Sequence, residues 1–181
     1  AFNDNVFRFA LIIFITFEAA SSSALDARSL VVISGGVFIL PFFLFSAIAG
    51  QLADRYEKSL LIRRIKFCEI LVMGLAAPGF WLEDVSFLLF VLFLMGMQST
   101  FFGPLKYAVL PQHLSSRELT GGNGMIQLGT YAAILLGATA GGLLAAREQI
   151  GPTIVASCVL SLASIGWFCA RFIPLAPPAD T

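Results

Sequence analysis

Five long apolar stretches dominate the sequence, and each is long enough to cross a bilayer as a helix. They lie at residues 29–53, 61–80, 86–111, 120–146 and 152–173, and each supplies about twenty mostly apolar residues, enough to span roughly 30 Å of hydrocarbon. Of the 181 residues, 58% are hydrophobic and 12% are charged, whereas a soluble domain carries roughly twice that share of charge. The sequence therefore predicts an all-α integral membrane protein.

A shorter apolar run at residues 6–20 precedes these five, with Asp4 and Arg8 near its open end. It is too short to span alone, so we expect the first helix, over about residues 1–20, to be truncated. The upstream half that we expect to be missing would place Asp4 near mid-membrane. Residues 1–173 then form one six-helix bundle. The Pro-rich residues 174–181 cannot continue the last helix and are predicted to be a cytoplasmic linker.

The connectors between the runs are short, so consecutive helices are antiparallel neighbours. Lysine and arginine near helix ends are retained on the cytoplasmic side, and their distribution is uneven. One side has Arg28 and Arg147; the other has Arg55, Lys58, Arg63, Arg64, Lys66, Lys106, Arg117 and Arg171. This asymmetry predicts that both ends of the bundle are cytoplasmic.

Composition also limits the kinds of function. The net charge is zero, which gives no reason to expect a nucleic-acid partner. Cys68, Cys158 and Cys169 lie in apolar stretches without metal-ligand spacing, and the sequence has no nucleophile elbow or phosphate loop. We therefore expect no enzymatic activity, no metal site and no cofactor.

Polar residues at the start of the first helix are candidates for a substrate or ion path. Asp4 and Arg8 are four residues apart and share a helix face, so a neutralising ion pair is one interpretation. The other is that Asp4 and Asn5 face a central path and bind a cation or polar headgroup. In the third run, Glu69 follows Lys66 by three residues and is predicted to pair with it.

The fifth run carries polar and small residues on separate faces. Asn123, Gln127, Thr130 and Tyr131 form a polar stripe, which either lines the path or bonds to neighbouring helices. Small residues at 137, 141 and 142 predict close packing against another helix.

The fourth run ends with a helix-weakening pair. Pro104 removes one backbone hydrogen bond and Gly103 relaxes the neighbouring geometry, so a hinge is predicted there. Lys106 follows it, and either extends to the cytoplasmic headgroups or points inward as a counter-ion.

The segment between the second and third runs, Gly50-Gln-Leu-Ala-Asp54-Arg55-Tyr-Glu-Lys58, resembles the loop signature of the major facilitator superfamily. Gly50 would permit close helix packing, Asp54 would lie among basic groups and helix N-termini, and Arg55 and Lys58 would anchor the loop. Glu57 departs from the glycine usual in that family, and Ser59 stands where a basic residue is common.

Three further motifs narrow the resemblance to the bacterial lysophospholipid transporter branch. These are Phe2-Asn-Asp4-Asn5, Phe102-Gly-Pro-Leu-Lys106-Tyr107, and Gly122-Asn123-Gly124 followed by residues 132–142. Within that branch, the chain most resembles the version fused to acyltransferase and acyl-ligase parts. The resemblance implies that the chain is the N-terminal six-helix half of a carrier.

The resemblance implies transport of lysophospholipid across the bacterial inner membrane for re-acylation inside, with the helix 1 carboxylate, matched by Asp4, in the mechanism. Its implied partners are the lipid bilayer, the missing C-terminal half and a fused acyltransferase. A coupling cation, sodium or a proton, is left open. The alternative is a membrane-anchoring module that positions attached lipid-modifying enzymes and transports nothing.

Overall fold

The computed structural model describes residues 1–22, 27–147 and 151–178, with side chains at 1–16, 28–147 and 151–178. In these ranges the chain is helical, with six long helices and one short helix and without a strand. The helices are α1 (Phe2–Ser22), α2 (Ala27–Arg55), α3 (Lys58–Trp81), α4 (Val85–Ala108), α5 (Leu110–His113), α6 (Leu119–Ala145) and α7 (Gly151–Ala170).

The six long helices correspond to the six predicted runs, which confirms the all-α fold. The predicted run 86–111 is divided between α4 and α5, because the backbone turns at Val109. The α4 helix continues through Gly103 and Pro104, so the break in this region falls several residues after the predicted hinge. Residues 23–26 and 148–150 of two connectors lie outside the described residues.

Four of the described helical segments are long and apolar enough to cross a membrane: Arg28–Arg55, Val85–His113, Leu119–Ala145 and Gly151–Ala170. The first half of α3 carries several charged residues, among them Arg63, Arg64 and Lys66. Most side chains of α2 and α6 are not buried within the chain, and their exposed residues are largely apolar. This pattern is that of a multi-pass membrane protein, whose outer surface meets hydrocarbon.

The helices pack in a closed order in which α2 lies along α4, α4 along α3, α3 along α7, α7 against α6, and α6 along α1. The α1 helix also touches α2, α4 and α7. Its fully buried Phe7, Leu11 and Ile15 lie one turn apart and enter the main core. Phe7 meets Phe80 of α3 edge to face, with ring centroids 5.6 Å apart. The start of α1 is thereby fixed in the bundle interior.

Glycines allow α1 and α6 to approach closely. A Cβ at Gly137 would meet the backbone of Phe2, and one at Gly141 would meet the backbone of Val6. The predicted packing role of the small residues is confirmed at these two positions, whereas Gly142 faces open space. At Gly50 no described atom lies within 4 Å of the place its Cβ would take.

The end of the chain lies against the start of α3. Glu57 caps α3 by accepting hydrogen bonds from the amides of Ser59 (2.9 Å) and Leu60 (2.6 Å). It also accepts one from the amide of Ala176 (2.9 Å), while the Lys58 amide donates to the Ala176 carbonyl (2.9 Å). Ala176 is fully buried. The predicted linker is therefore docked as far as it is described, to residue 178, and we call this contact the clasp.

Candidate functional site: polar groups inside the helical bundle

The largest polar contact inside the bundle is centred on Glu69, near the middle of α3. Lys66 Nζ donates to Glu69 Oε2 at 2.6 Å, which confirms the predicted pair. Gln98 of α4 donates to the same oxygen at 3.3 Å, and Asn3 of α1 donates to Oε1 at 3.1 Å. Asn3 also donates to the carbonyl of Val159 in α7 at 3.0 Å. This Glu69 cluster joins four helices.

The side chains of the Glu69 cluster are mostly buried and bond to one another. The Glu69 side chain is 6% exposed and that of Lys66 is 20% exposed. A carboxylate in such a place is tolerated because a lysine neutralises it and two amides satisfy its oxygens. The Lys66 ammonium also lies 4.9 Å from the Phe102 ring centroid. Among the described atoms, Asn3 Oδ1 is buried without a hydrogen-bond donor.

Asp4 lies beside this cluster but has different partners. It is buried, with 7% of the residue exposed. Its Oδ2 accepts a hydrogen bond from Ser99 Oγ of α4 at 2.8 Å. The Asp4–Arg8 ion pair, one of the two interpretations of this spacing, is not formed among the described side chains. Asp4 points to α4, whereas Arg8 extends towards α2.

The Arg8 guanidinium lies over aromatic rings. It is 5.6 Å from the ring centroid of Phe9 and 5.8 Å from that of Phe38 in α2. Asn5, the neighbour of Asp4, donates to the carbonyl of Ala1 at 2.7 Å, and its Cβ faces Gly137 of α6. Asn5 therefore lies on the α6 side of α1, apart from the Glu69 cluster.

A second polar contact joins α4 to α6. Lys106 Nζ donates to Thr130 Oγ1 at 3.3 Å, and the Tyr107 hydroxyl donates to Gln127 Oε1. Lys106 also lies 5.0 Å from the ring centroid of Tyr107. Thus Lys106 meets a hydroxyl and a ring rather than a carboxylate in the described part of the chain.

The predicted path residues fall into separate groups. Asp4 is in the interior, Lys106 and Gln127 meet at the α4–α6 contact, and Tyr131 is 59% exposed. Asn123 is exposed as well. The structure does not bring Asp4 and the α6 stripe into direct contact.

The loop signature residues differ in their surroundings. Asp54 and Arg55 are exposed, and neither forms an ion pair among the described side chains. Lys58 is 2% exposed and donates from Nζ to the carbonyl of Pro177 at 3.0 Å. Lys58 therefore holds the C-terminal segment against the start of α3.

Sequence reasoning missed Asn3, Gln98 and Ser99 as partners of the buried carboxylates. A signal was present, since amide and hydroxyl side chains within an apolar run need partners inside the bundle. The four-helix convergence on Glu69, however, depends on helix packing that a single sequence does not specify.

Together the helices define a multi-pass all-α membrane protein. The chain is 27% identical to the lysophospholipid transporter LplT of Serratia proteamaculans, over 99% of the chain and 42% of that protein. It is 32% identical to LplT of Salmonella paratyphi B, over 70% of the chain and 30% of that protein. It is also 32% identical to LplT of Escherichia coli K12, over 69% of the chain and 30% of that protein.

The chain is thus similar to lysophospholipid transporters, which confirms its predicted resemblance to that branch of the major facilitator superfamily. No family model matches it. It spans less than half the length of these curated relatives.

Proposed function

We propose that the chain forms one half of a secondary carrier that moves lysophospholipid across the bacterial inner membrane for re-acylation inside. The relatives are named lysophospholipid transporters, and the chain spans 42% of one of them. In such carriers, one helical half rocks against the other around a central site. The second half, the bilayer and a fused acyltransferase are the partners in this proposal.

The observation that carries the proposal is the presence of polar side chains on apolar helices without full burial. Arg8, Lys106 and Gln127 are only partly buried, and Tyr131 is exposed. A lysophospholipid needs polar groups for its phosphate and an apolar surface for its single acyl chain. Exposed apolar residues of α2 and α6, such as Phe43 and Leu128, supply the second requirement.

Asp4 is the carboxylate that we assign to the transport cycle. It is buried in a helix that packs in the bundle interior, and a carboxylate in such a place is costly unless it has a function or a permanent partner. We propose that it exchanges partners as the halves rock, with sodium or a proton as the coupling cation. Both ends of the bundle are cytoplasmic in this proposal because lysine and arginine are concentrated there.

The test uses the natural full-length protein reconstituted in liposomes. Movement of fluorescent lysophosphatidylethanolamine between leaflets is followed by quenching from outside, in wild type, Asp4→Asn and Glu83→Gln. Glu83 is an exposed carboxylate between α3 and α4, so its substitution controls for loss of a negative charge. Thermal unfolding of each variant is measured in parallel.

We expect Asp4→Asn to lose most transport while Glu83→Gln keeps it, with all three proteins folded. Equal transport in Asp4→Asn would remove Asp4 from the mechanism. Absence of transport in the folded wild type would contradict the carrier proposal and favour the anchoring module.

A further inference from the structure

Three cations on the long helices differ in how they are neutralised. Lys66 is paired with Glu69 at 2.6 Å. Arg8 and Lys106 form no ion pair with a carboxylate among the side chains that the structure describes, and both are partly buried. The first cation is therefore satisfied within the chain, whereas the other two retain an unmatched positive charge.

Of the two, Arg8 needs an anionic partner more, because its guanidinium lies deeper in the helical bundle. Phe38, one of the rings beneath its guanidinium, lies roughly 16 Å from the beginning of α2 at 1.5 Å per residue. The two aromatic rings offset part of the cost of a cation there, at about 0.5–2 kcal/mol for a cation–π contact. They leave its N–H donors without an anionic acceptor.

The nearest candidate within the helix is committed elsewhere. Asp4 is one turn before Arg8, but its carboxylate accepts from Ser99 of α4. Glu69 is likewise engaged by Lys66, Gln98 and Asn3. The acceptor for Arg8 is therefore expected to come from outside the described side chains.

We propose that Arg8 binds the phosphate ester of a lipid headgroup inside the membrane. This inference rests on the proposed transport function and adds the group that is recognised. A guanidinium presents paired donors that match two phosphate oxygens, and Phe9 and Phe38 place apolar surface beside it. Phosphate esters are the anions that a phospholipid bilayer supplies.

The test measures equilibrium binding to the natural full-length protein in detergent micelles. Three ligands separate the contributions: lysophosphatidylethanolamine, a monoacylglycerol with the same acyl chain and no phosphate, and glycerophosphoethanolamine with no acyl chain. The variants are Arg8→Gln, Arg8→Lys and Arg28→Gln. Arg28 is an exposed cation at the start of α2 and is the matched control.

We expect Arg8→Gln to weaken lysophosphatidylethanolamine binding about 10-fold or more, since a charge-assisted contact is lost. Monoacylglycerol binding should not change. Arg8→Lys should recover part of the loss, because the charge returns without the paired donors. We expect no loss in Arg28→Gln.

Equal weakening for both acylated ligands would overturn the inference, because Arg8 would then act through structure alone. Unchanged binding in Arg8→Gln would also overturn it. Glycerophosphoethanolamine binding as tightly as the lysolipid would overturn the lipid assignment in favour of a soluble phosphate ester. Transport failure in wild type together with Arg8-dependent binding would contradict only the proposed function.

Discussion

Glu57 and Glu69 lie at the start and in the middle of α3, and each accepts hydrogen bonds from three groups. The donors to Glu57 are backbone amides, those of Ser59, Leu60 and Ala176. The donors to Glu69 are side chains, and one of them, Lys66, carries a full positive charge. Two chemically identical groups are thus stabilised by different means.

The surrounding medium explains the difference. At the start of α3, which faces water, the solvent screens the part of the Glu57 charge that the backbone amides do not balance. Near the middle of α3 there is little water, so a carboxylate needs a counter-ion in contact with it. The comparison teaches that the charges of Lys66 and Glu69 stabilise the fold by neutralising each other. Removing either charge leaves the other one buried without a counter-ion.

The largest expected effect comes from breaking the Glu69 cluster. Glu69→Gln leaves the Lys66 ammonium without its counter-charge, and breaking a buried pair costs about 3–5 kcal/mol. The low end of that range applies because the Lys66 side chain is 20% exposed. Denaturant unfolding in detergent, compared with Glu83→Gln, measures the loss.

The double variant Lys66→Met with Glu69→Met removes both charges at similar volume. It should regain only part of the stability. Apolar replacement of a buried pair is often neutral, but the amides of Asn3 and Gln98 lose Glu69 as an acceptor. If Glu69→Gln is as stable as Glu83→Gln, the pair is not a structural requirement and the contrast with Glu57 disappears.

A smaller loss of stability is expected at the contact between α1 and α6, which holds α1 in the position from which Asn3 reaches Glu69. A methyl group at Gly141 would overlap the Val6 backbone, so Gly141→Ala should destabilise by about 1–3 kcal/mol. Gly142→Ala is its neighbour in open space and should be neutral or stabilising by up to about 1 kcal/mol. Thermal unfolding of the two variants gives the comparison, and equal melting temperatures would contradict the close approach of α1 and α6.

The helices of this chain were predictable because hydrophobic length and polar connectors depend only on local sequence. The Lys66–Glu69 pair was predictable for the same reason, since residues three apart are neighbours on a helix. The Asp4–Arg8 pair, one of two interpretations that the same spacing rule allowed, is not formed among the described side chains. Ser99 and Phe38, which are distant in sequence, provide competing contacts for the two side chains.

The clasp shows the other limit of sequence reasoning. Proline correctly excluded a helix after Ile173, but composition does not reveal where an extended segment will lie. The clasp depends on the Ala176 amide and carbonyl, which are present in every residue and leave no signal in the sequence. Glu57, noted only as a departure from the family pattern, is the side chain that receives this contact.

The smallest expected effect concerns the clasp, and it depends on pH. Partial burial acts to raise the pKa of Glu57, but hydrogen bonds from Ser59, Ala176 and Leu60 outweigh it and lower the pKa from 4.5 to about 2. A lowered folded pKa means that the ionised carboxylate stabilises the clasp above the unfolded value. That stabilisation is lost as the pH falls from about 4.5 towards 2.

Hydrogen exchange at the amides of Lys58 and Ala176, corrected for intrinsic rates, should therefore quicken over this interval in wild type. Glu57→Gln should exchange faster at neutral pH, by an amount corresponding to about 1 kcal/mol for a lost helix cap, and should show no such pH dependence. The Ala146 amide, which bonds to Gly142 outside the clasp, is the internal control. Exchange at Ala176 that follows Ala146 at every pH would mean that Glu57 does not hold the C-terminal segment, and the contrast between the two glutamates would reduce to helix capping alone.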